Sequence, residues 1–359
     1  MLDSESGRWL DTHANALDLG SLDPEQVLAQ LVVGDVLGVG IDAAQDGSGG
    51  DLSDAVEAVA EVAEVAGHSL AAAFVLWGQR AFIEYLLHSP NAGLRQRLLP
   101  DLLSGGLAGA TGLSNAMKFL SGIETLQVSA HEQDGNWQLN GRLHWVTNLR
   151  KSGFVVAAAI EHEQGGKPFI MAIPQAVSGL YRTDDLQLMG LQSTNTAALD
   201  FKDVQLSNDW LLHEDARQFL PAVRPAFLGL QCGMSIGLAR RAFKEVDSHL
   251  QGSRSVLRGE LDEYRLQLES AVNDLKRGLL DGRFLTQPAA LFRLRIALAE
   301  SAANAVQLEL QASGGKAFLC EYGSAFARRW RESAFLPIVT PSLVQLRAEL
   351  RRQAEENAA

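Results

Sequence analysis

Residues 134–148, DGNWQLNGRLHWVTN, constrain the fold most: they alternate like a strand inside a chain that is otherwise helical in its periodicity. Two turn dipeptides punctuate them, Asp134-Gly135 and Asn140-Gly141. Asx-Gly pairs tolerate the positive φ of tight turns, so the stretch reads as a β-meander. Its last four residues, Trp145, Val146, Thr147 and Asn148, set an aromatic ring beside a hydroxyl and an amide. Such a set can wall and hydrogen-bond a planar cofactor, although by residue chemistry alone a tryptophan packed into the sheet core is the favoured reading.

Around this sheet the chain divides into three regions. Residues 1–108 form an expected helical domain. Asp23 is a candidate N-cap with Pro24 in the first turn, and a helix runs over 24–30. A glycine-rich break at 38–50 follows; Asp51 or Ser53 then caps a helix to about residue 66, and further helices cover 70–87 and 93–103. Residues 109–212 switch period, with strands expected at 123–131, 137–139, 144–146, 154–160, 169–173 and 197–204. Strands so spaced suggest a small antiparallel barrel or sandwich. Residues 213–359 return to helical spacing at 217–251, 257–280, 287–310 and 342–356, the pattern of a bundle. The expected class is α+β, mainly α, with a β domain between two helical domains.

Composition excludes several functions. The 359 residues carry a net charge of −12, which argues against a nucleic-acid groove. Cys232 and Cys320 are far apart and lack a CxxC pattern, so neither a disulfide scaffold nor a zinc knuckle is indicated. The N-terminus has no basic and apolar leader, and no apolar run approaches bilayer-spanning length; a soluble cytoplasmic protein without membrane partners is expected.

Candidate chemistry in the residues themselves is sparse. The Gly38-x-Gly40-x-x-Ala43 pattern lacks the preceding strand of a dinucleotide-binding turn and reads as a loop. The eight histidines make no metal-ligand spacing and no GxSxG elbow is present. His144 and His68 are candidate acid/base groups because imidazole titrates near neutrality, with an ordinary structural role favoured for each. Arg328, Arg329 and Arg331 either bind an anion or make a solvated face or ion pairs with acids such as Glu332; the second reading is favoured.

Several motifs in order resemble the acyl-CoA dehydrogenase superfamily over nearly the whole chain. Residues 38–51 are similar to the family's G-x-P-x-x-x-G-G-x-G-G-D, and 98–106 to its Y-L-P-x-L-x-x-G segment. Residues 111–116, TGLSNA, occupy the place of a flavin-contacting segment ending in T-E-P. Residues 140–148 match N-G-x-K-x-W-I-T-N, and Gln311 to Gly315 match Q-x-x-G-G. The resemblance implies FAD, with FMN as an alternative, bound between the β domain and the C-terminal bundle. It places Leu113, Ser114, Trp145 and Thr147 around the isoalloxazine ring, Ser114 keeping the hydroxyl of the family's threonine while Asn115 and Ala116 replace its Glu-Pro. Arg254 falls at an arginine that contacts the pyrophosphate of a neighbouring subunit's FAD, with Leu257 and Arg258 replacing the Phe and Gly of R-x-x-F-G. Gln311 and Gly315 fall on the adenosine side, and a homodimer or homotetramer is implied.

The same resemblance exposes a departure. Residues 331–342, RESAFLPIVTPS, align without a gap to R-D-A-x-x-x-x-I-Y-E-G-T, putting Thr340 at the catalytic glutamate and Ser342 at the final threonine. A hydroxyl cannot act as a carboxylate base near neutral pH. Residues 226–231, where some relatives carry that acid, hold none, and the acyl-CoA-contacting arginine of this helix is missing. Three readings follow. A dehydrogenase of acyl-CoA-like or other small organic substrates would need a relocated base, Glu321 being nearest in sequence. A two-component monooxygenase using reduced flavin and O2 would need none, with Trp77, His144 or Thr340 lining its pocket. A non-catalytic paralogue would keep only the fold. A flavin reductase or an electron-transfer protein is the implied partner.

Overall fold

Short polar side chains set where the helices begin. Asp3 Oδ1 accepts from the backbone N–H groups of Glu5 (2.7 Å) and Ser6 (3.0 Å) and starts α1 (Ser4–Leu19). Asp23 accepts from Glu25 N (3.0 Å) at the head of α2 (Glu25–Val33). After α3 (Leu52–His68), Ser69 caps α4 (Leu70–Leu87) and Asn91 caps α5 (Ala92–Leu103). The computed structural model describes residues 2–41, 52–120, 122, 124–133 and 135–358. Most of the family-like segment at 38–51, the Asp51 cap, and residues 123 and 134 of the expected strand and turn lie outside the described residues.

Helix α4 corrects one expectation. Its 18 residues are long and apolar enough, by length and composition, to cross a bilayer. Every one of them is buried inside the protein, so the apolar surface is spent on the core.

The strands are β1 (Ala108–Thr111), β2 (Val128–Gln133), β3 (Asn136–Val146), β4 (Phe154–His162), β5 (Phe169–Pro174), β6 (Leu180–Arg182), β7 (Ala197–Leu206) and β8 (Leu211–His213), with helix α6 (Ser114–Leu120) between β1 and β2. They pair in the order β6-β7-β3-β2-β4-β5-β8, with β1 alongside β4. This is an open mixed sheet and not the expected antiparallel barrel: the three-residue strands β6 and β8 end the path without pairing to each other. β4 pairs parallel with β1 through residues 154–157 and parallel with β2 through residues 161–162. β1 escapes sequence reading because its four residues, Ala-Gly-Ala-Thr, are all buried and show no polar alternation.

Asn140-Gly141 is also not a turn. β3 runs through it unbroken for 11 residues, with register shifts against β7 at 139/141 and at 143/146. Gly141 sits at φ 138°, where a Cβ would lie 2.2 Å from Gln127 O, so a bulge explains the glycine. Gly135, at φ 77°, does lie in the tight connection between β2 and β3.

The C-terminal half comprises α7 (Ala216–His249), α8 (Arg258–Leu280), α9 (Arg283–Thr286), α10 (Pro288–Ser313), α11 (Ser324–Phe335) and α12 (Leu343–Ala358). Short 3₁₀ segments at Gly252–Leu257, Gly314–Phe318 and Leu336–Ile338 lie between α7 and α8, α10 and α11, and α11 and α12. α7 lies between α3 and α10 and packs extensively on both. Its approach to α3 needs bare backbone: a Cβ at Gly237 would lie 2.0 Å from Ala63 O, and one at Gly233 2.7 Å from Val59 O. Gly237→Ala is therefore expected to lower stability by about 1–3 kcal/mol, the range for overpacking, although alanine is the better helix former. Gly259→Ala in α8 meets nothing within 4 Å, so it should raise stability by about 0.4–1 kcal/mol. Thermal melts of both variants check the opposite signs.

Candidate functional site

The second bulge of β3 shapes the candidate site. Leu143 and Val146 point inward, while His144 and Trp145 between them both turn outward. Trp145 is 66% exposed, which overturns the reading of it as a core tryptophan. A large indole held outward at the end of a rigid strand is available to a ligand. The strand's end is pinned hard. Asn148, at φ 64°, donates through Nδ2 to Gln79 Oε1 (2.9 Å) and Gly109 O (2.9 Å). Gln79 on α4 also accepts from Gly109 N (2.6 Å) and donates to Leu102 O (2.8 Å). Asparagine suits both tasks, tolerating the left-handed region and bridging strand to helix.

Thr147 is buried, and its hydroxyl belongs to a chain: it lies 3.0 Å from Thr196 Oγ1, which lies 2.8 Å from Thr194 Oγ1, which donates to Leu191 O (2.8 Å). Since each hydroxyl has one proton, Thr196 donates to Thr194 and Thr147 to Thr196. Thr147 then offers only an acceptor to any further group.

Beyond β1, Leu113 is fully buried and half-buried Ser114 opens α6. Asn115 turns inward, donating to Thr125 O (2.9 Å) and accepting from Gln127 N (2.9 Å). The stretch that would carry Glu-Pro is thus helical here and tied to the start of β2.

Thr340 meets a buried polar spine. Gln231 on α7 donates through Nε2 to Thr340 O (2.8 Å) and accepts from Arg295 Nε (3.2 Å). Arg295 on α10 donates through Nη2 to Leu336 O (2.8 Å). It is 0% exposed, and among the described residues its Nη1 has no partner and no carboxylate pairs with it. Burial pulls its guanidinium below the ordinary arginine value, and burial pushes the neighbouring Cys232 thiol up to about 12, so that thiol stays neutral. Ser342 is the N-terminal cap of α12, accepting from Gln345 N (3.4 Å) while its own N–H donates to Gln345 Oε1 (2.7 Å). Trp77 is core: it donates to Phe227 O (3.4 Å) and stacks on Phe74 at 5.3 Å.

Across Pro341 lies a small cleft of about 30 Å³ between α6, α7, α10 and α12, bordered by Lys118, Arg224, Phe292, Pro341, Leu346 and Glu349. Burial lowers the Arg224 guanidinium, partly opposed by the charge of Glu349.

A third cluster sits elsewhere in the bundle. Arg254 Nη2 approaches Ser313 O (3.4 Å), and Gly314 takes φ 68° beneath it. Gln311 and Gly315 are exposed beside it, Gly315 with open space where a Cβ would be. The structure thus brings Arg254 and residues 311–315 together. Val256 and Phe318, both 80% exposed, and Tyr322 form apolar surface on the same segments. Glu321 is exposed next to Tyr322 and makes no ion pair or hydrogen bond with the groups around Thr340, nor does His144. His68 pairs with Asp11 at 3.1 Å.

The three arginines of α11 form no anion site. Arg328 binds Glu332 (2.7 Å), Arg329 binds Glu309 (2.5 Å) and Arg331 binds Asp18 (2.6 Å). The first two pairs are buried, so the alternative of a solvated face fails as well. Sequence reading passed over Gln231 and Arg295. Their signal was position: Arg295 falls on the stripe of Leu291, Phe292, Leu298 and Ala299 that α10 buries.

No family model matches the chain. It is similar to "Probable acyl-CoA dehydrogenase YngJ" of Bacillus subtilis, 25% identical over 334 residues covering 87% of this chain and 85% of the relative. It is similar to "Probable FMNH2-dependent monooxygenase SfnC" of Pseudomonas putida, 27% identical over 129 residues, covering 35% of this chain and 32% of that protein. Among solved structures, butyryl-CoA dehydrogenase from Megasphaera elsdenii superposes with a TM-score of 0.83 at 18% identity, covering 98% of this chain and 95% of that one.

Proposed function

Because the chain belongs to the acyl-CoA dehydrogenase superfamily, we propose that it is a flavin-dependent oxidoreductase of small organic substrates. The observation that carries this reading is the outward indole of Trp145 on a strand end anchored by Asn148 and Gln79. The donor set suits a flavin. Trp145 would wall the ring, with Leu113 and Ser114 beside it and the Thr147 hydroxyl as an acceptor. Arg254, Gln311 and Gly315 would serve the phosphate and adenosine parts of FAD, and FMN would leave them unused. Bound flavin supplies reversible two-electron chemistry that no side chain here can provide.

Between the two chemistries open to such a site, the surroundings of Thr340 favour monooxygenation with reduced flavin and O2. The Thr340 carbonyl accepts from the Gln231 amide, which itself accepts from the Arg295 guanidinium, and among the described residues no carboxylate joins these groups to take an α-proton. The SfnC likeness supports the same choice. The Gln231–Arg295 spine would hold residues 336–340 in place, and Thr340 could pass a proton without removing one from carbon. A flavin reductase is then the partner, and the exposed Val256, Phe318 and Tyr322 around Arg254 suit a homodimeric or homotetrameric assembly. Cytoplasmic residence is part of the same reading.

Anaerobic titration of the flavin-loaded protein with butyryl-CoA tests the choice. The visible flavin band should persist. Bleaching would restore acyl-CoA dehydrogenation, with Glu321 the first residue to replace. Failure to bind any flavin would leave a non-catalytic member of the superfamily.

A further inference from the structure

We propose that the cleft between α6, α7, α10 and α12 binds the carboxylate of a small organic acid through Arg224. Arg224 is half-buried on α7 and makes no hydrogen bond among the described residues; its Nε is fully covered and without a partner among them. Its guanidinium lies 5.6 Å from the centre of the Phe292 ring, a contact that holds the plane but engages no N–H. The other charges of the cleft are already committed. Lys118 is bound by Glu124 (2.8 Å), while Glu349 is bound by Arg352 (2.6 Å) and Gln353 (2.7 Å). One positive charge with free donors is left over.

The cleft's size and walls narrow the ligand. The volume of about 30 Å³ holds roughly two water-sized groups, enough for the carboxylate itself, and the cleft is open on one side for the rest of a short acid. Met117, Leu120, Phe292, Pro341 and Leu346 give apolar sides to a short hydrocarbon body. A guanidinium fork matches a carboxylate with two parallel hydrogen bonds. Arg295, three residues beyond Phe292, adds a second buried cation near Thr340 with Nη1 unpartnered and no acid paired to it. Two guanidiniums without a hydrogen-bonded acid among the described residues, Arg224 and Arg295, thus serve this region, and the one acid on the cleft's border, Glu349, is held by Arg352 and Gln353 while it acts on Arg224 through charge alone. An unpaired, partly desolvated guanidinium is costly, and a bound carboxylate relieves that cost. That this acid is the substrate of the flavin reaction rests on the proposed function; the anion chemistry of the cleft does not.

Calorimetric titration of the full chain with sodium butyrate, against 1-butanol at matched ionic strength, tests the assignment. Butyrate should bind saturably and raise the melting temperature, and butanol should do neither. Arg224→Gln should weaken butyrate at least tenfold, with partial recovery in Arg224→Lys, which restores a charge but not the fork. Equal butyrate affinity in wild type and Arg224→Gln, or no saturable binding by wild type, would overturn the proposal. Should Arg224→Gln fail to fold, the butyrate and butanol comparison on wild type still decides. FAD titrated into the same preparations separates the two ideas: butyrate bound without FAD keeps the cleft and sinks the flavin reading, and FAD bound without butyrate does the reverse.

Discussion

Replacing Glu309 by leucine is expected to lower folding stability by about 3–5 kcal/mol, the range for stripping one partner from a buried ion pair. Glu309 on α10 and Arg329 on α11 are both almost fully buried and join through two hydrogen bonds, Nε to Oε2 at 2.9 Å and Nη2 to Oε1 at 2.5 Å. Arginine cannot escape by losing its proton in the accessible pH range, so the variant must bury an uncompensated cation. Glu332 is bound through Oε1 to Arg328 and the Leu70 N–H, and it and Glu245 reach Arg329 through charge and not through a hydrogen bond, so the cation would lose both of its hydrogen-bonded carboxylate contacts. The double variant Glu309→Leu, Arg329→Met removes both charges together and should recover most of the loss. Chemical denaturation of the four proteins of this cycle measures the coupling. A loss under about 1 kcal/mol in Glu309→Leu, the scale of a solvent-exposed pair, would mean that the α10–α11 junction admits water.

Trp145→Ala is expected to separate stability from ligand binding. With the indole mostly in solvent, the change should leave stability within about 0.5 kcal/mol, as for ordinary surface positions. A tryptophan in the sheet core would instead cost about 3–5 kcal/mol. Flavin affinity, by contrast, should fall by about 1–3 kcal/mol, roughly 5- to 150-fold, because the aromatic wall is lost. Melting curves and flavin fluorescence titrations on one preparation read both effects. A large drop in melting temperature with unchanged affinity would return Trp145 to a structural role.

Helices were the legible part of this sequence. The run 70–87 announces itself as a long apolar stretch, and it agrees residue for residue with α4; the Ser69 cap came only with the structure. What periodicity hides is burial on all sides, which makes a core helix look like a membrane span. Strand existence was legible and strand geometry was not. Asn140-Gly141 carries the same local signal in a turn as in a bulge, and only the closeness of Gln127 O distinguishes them. The two bulges break the period of two in β3, so inward and outward positions could not be counted along it. That is why Trp145 read as core. β1 was invisible because strands buried on both faces lose alternation. At the site, motif order pointed to residues 145–148 and 311–315, but charge balance is a three-dimensional property. For Arg328, Arg329 and Arg331 the ion pairs of the favoured reading hold, Arg328 with Glu332 itself, but Glu309 and Asp18 could not be named as the other partners. Arg224 and Arg295 drew no attention, and each keeps a buried guanidinium nitrogen without a hydrogen-bond partner among the described residues.

The central claim is that the outward tryptophan at the end of β3 belongs to a flavin site, and calorimetric titration of the purified apo-chain with FAD tests it most directly. The expected result is saturable binding at a single kind of site, with the Trp145→Ala protein, equally folded, binding more weakly. No heat and no visible flavin retained after desalting, or equal affinity in the two proteins, would contradict it.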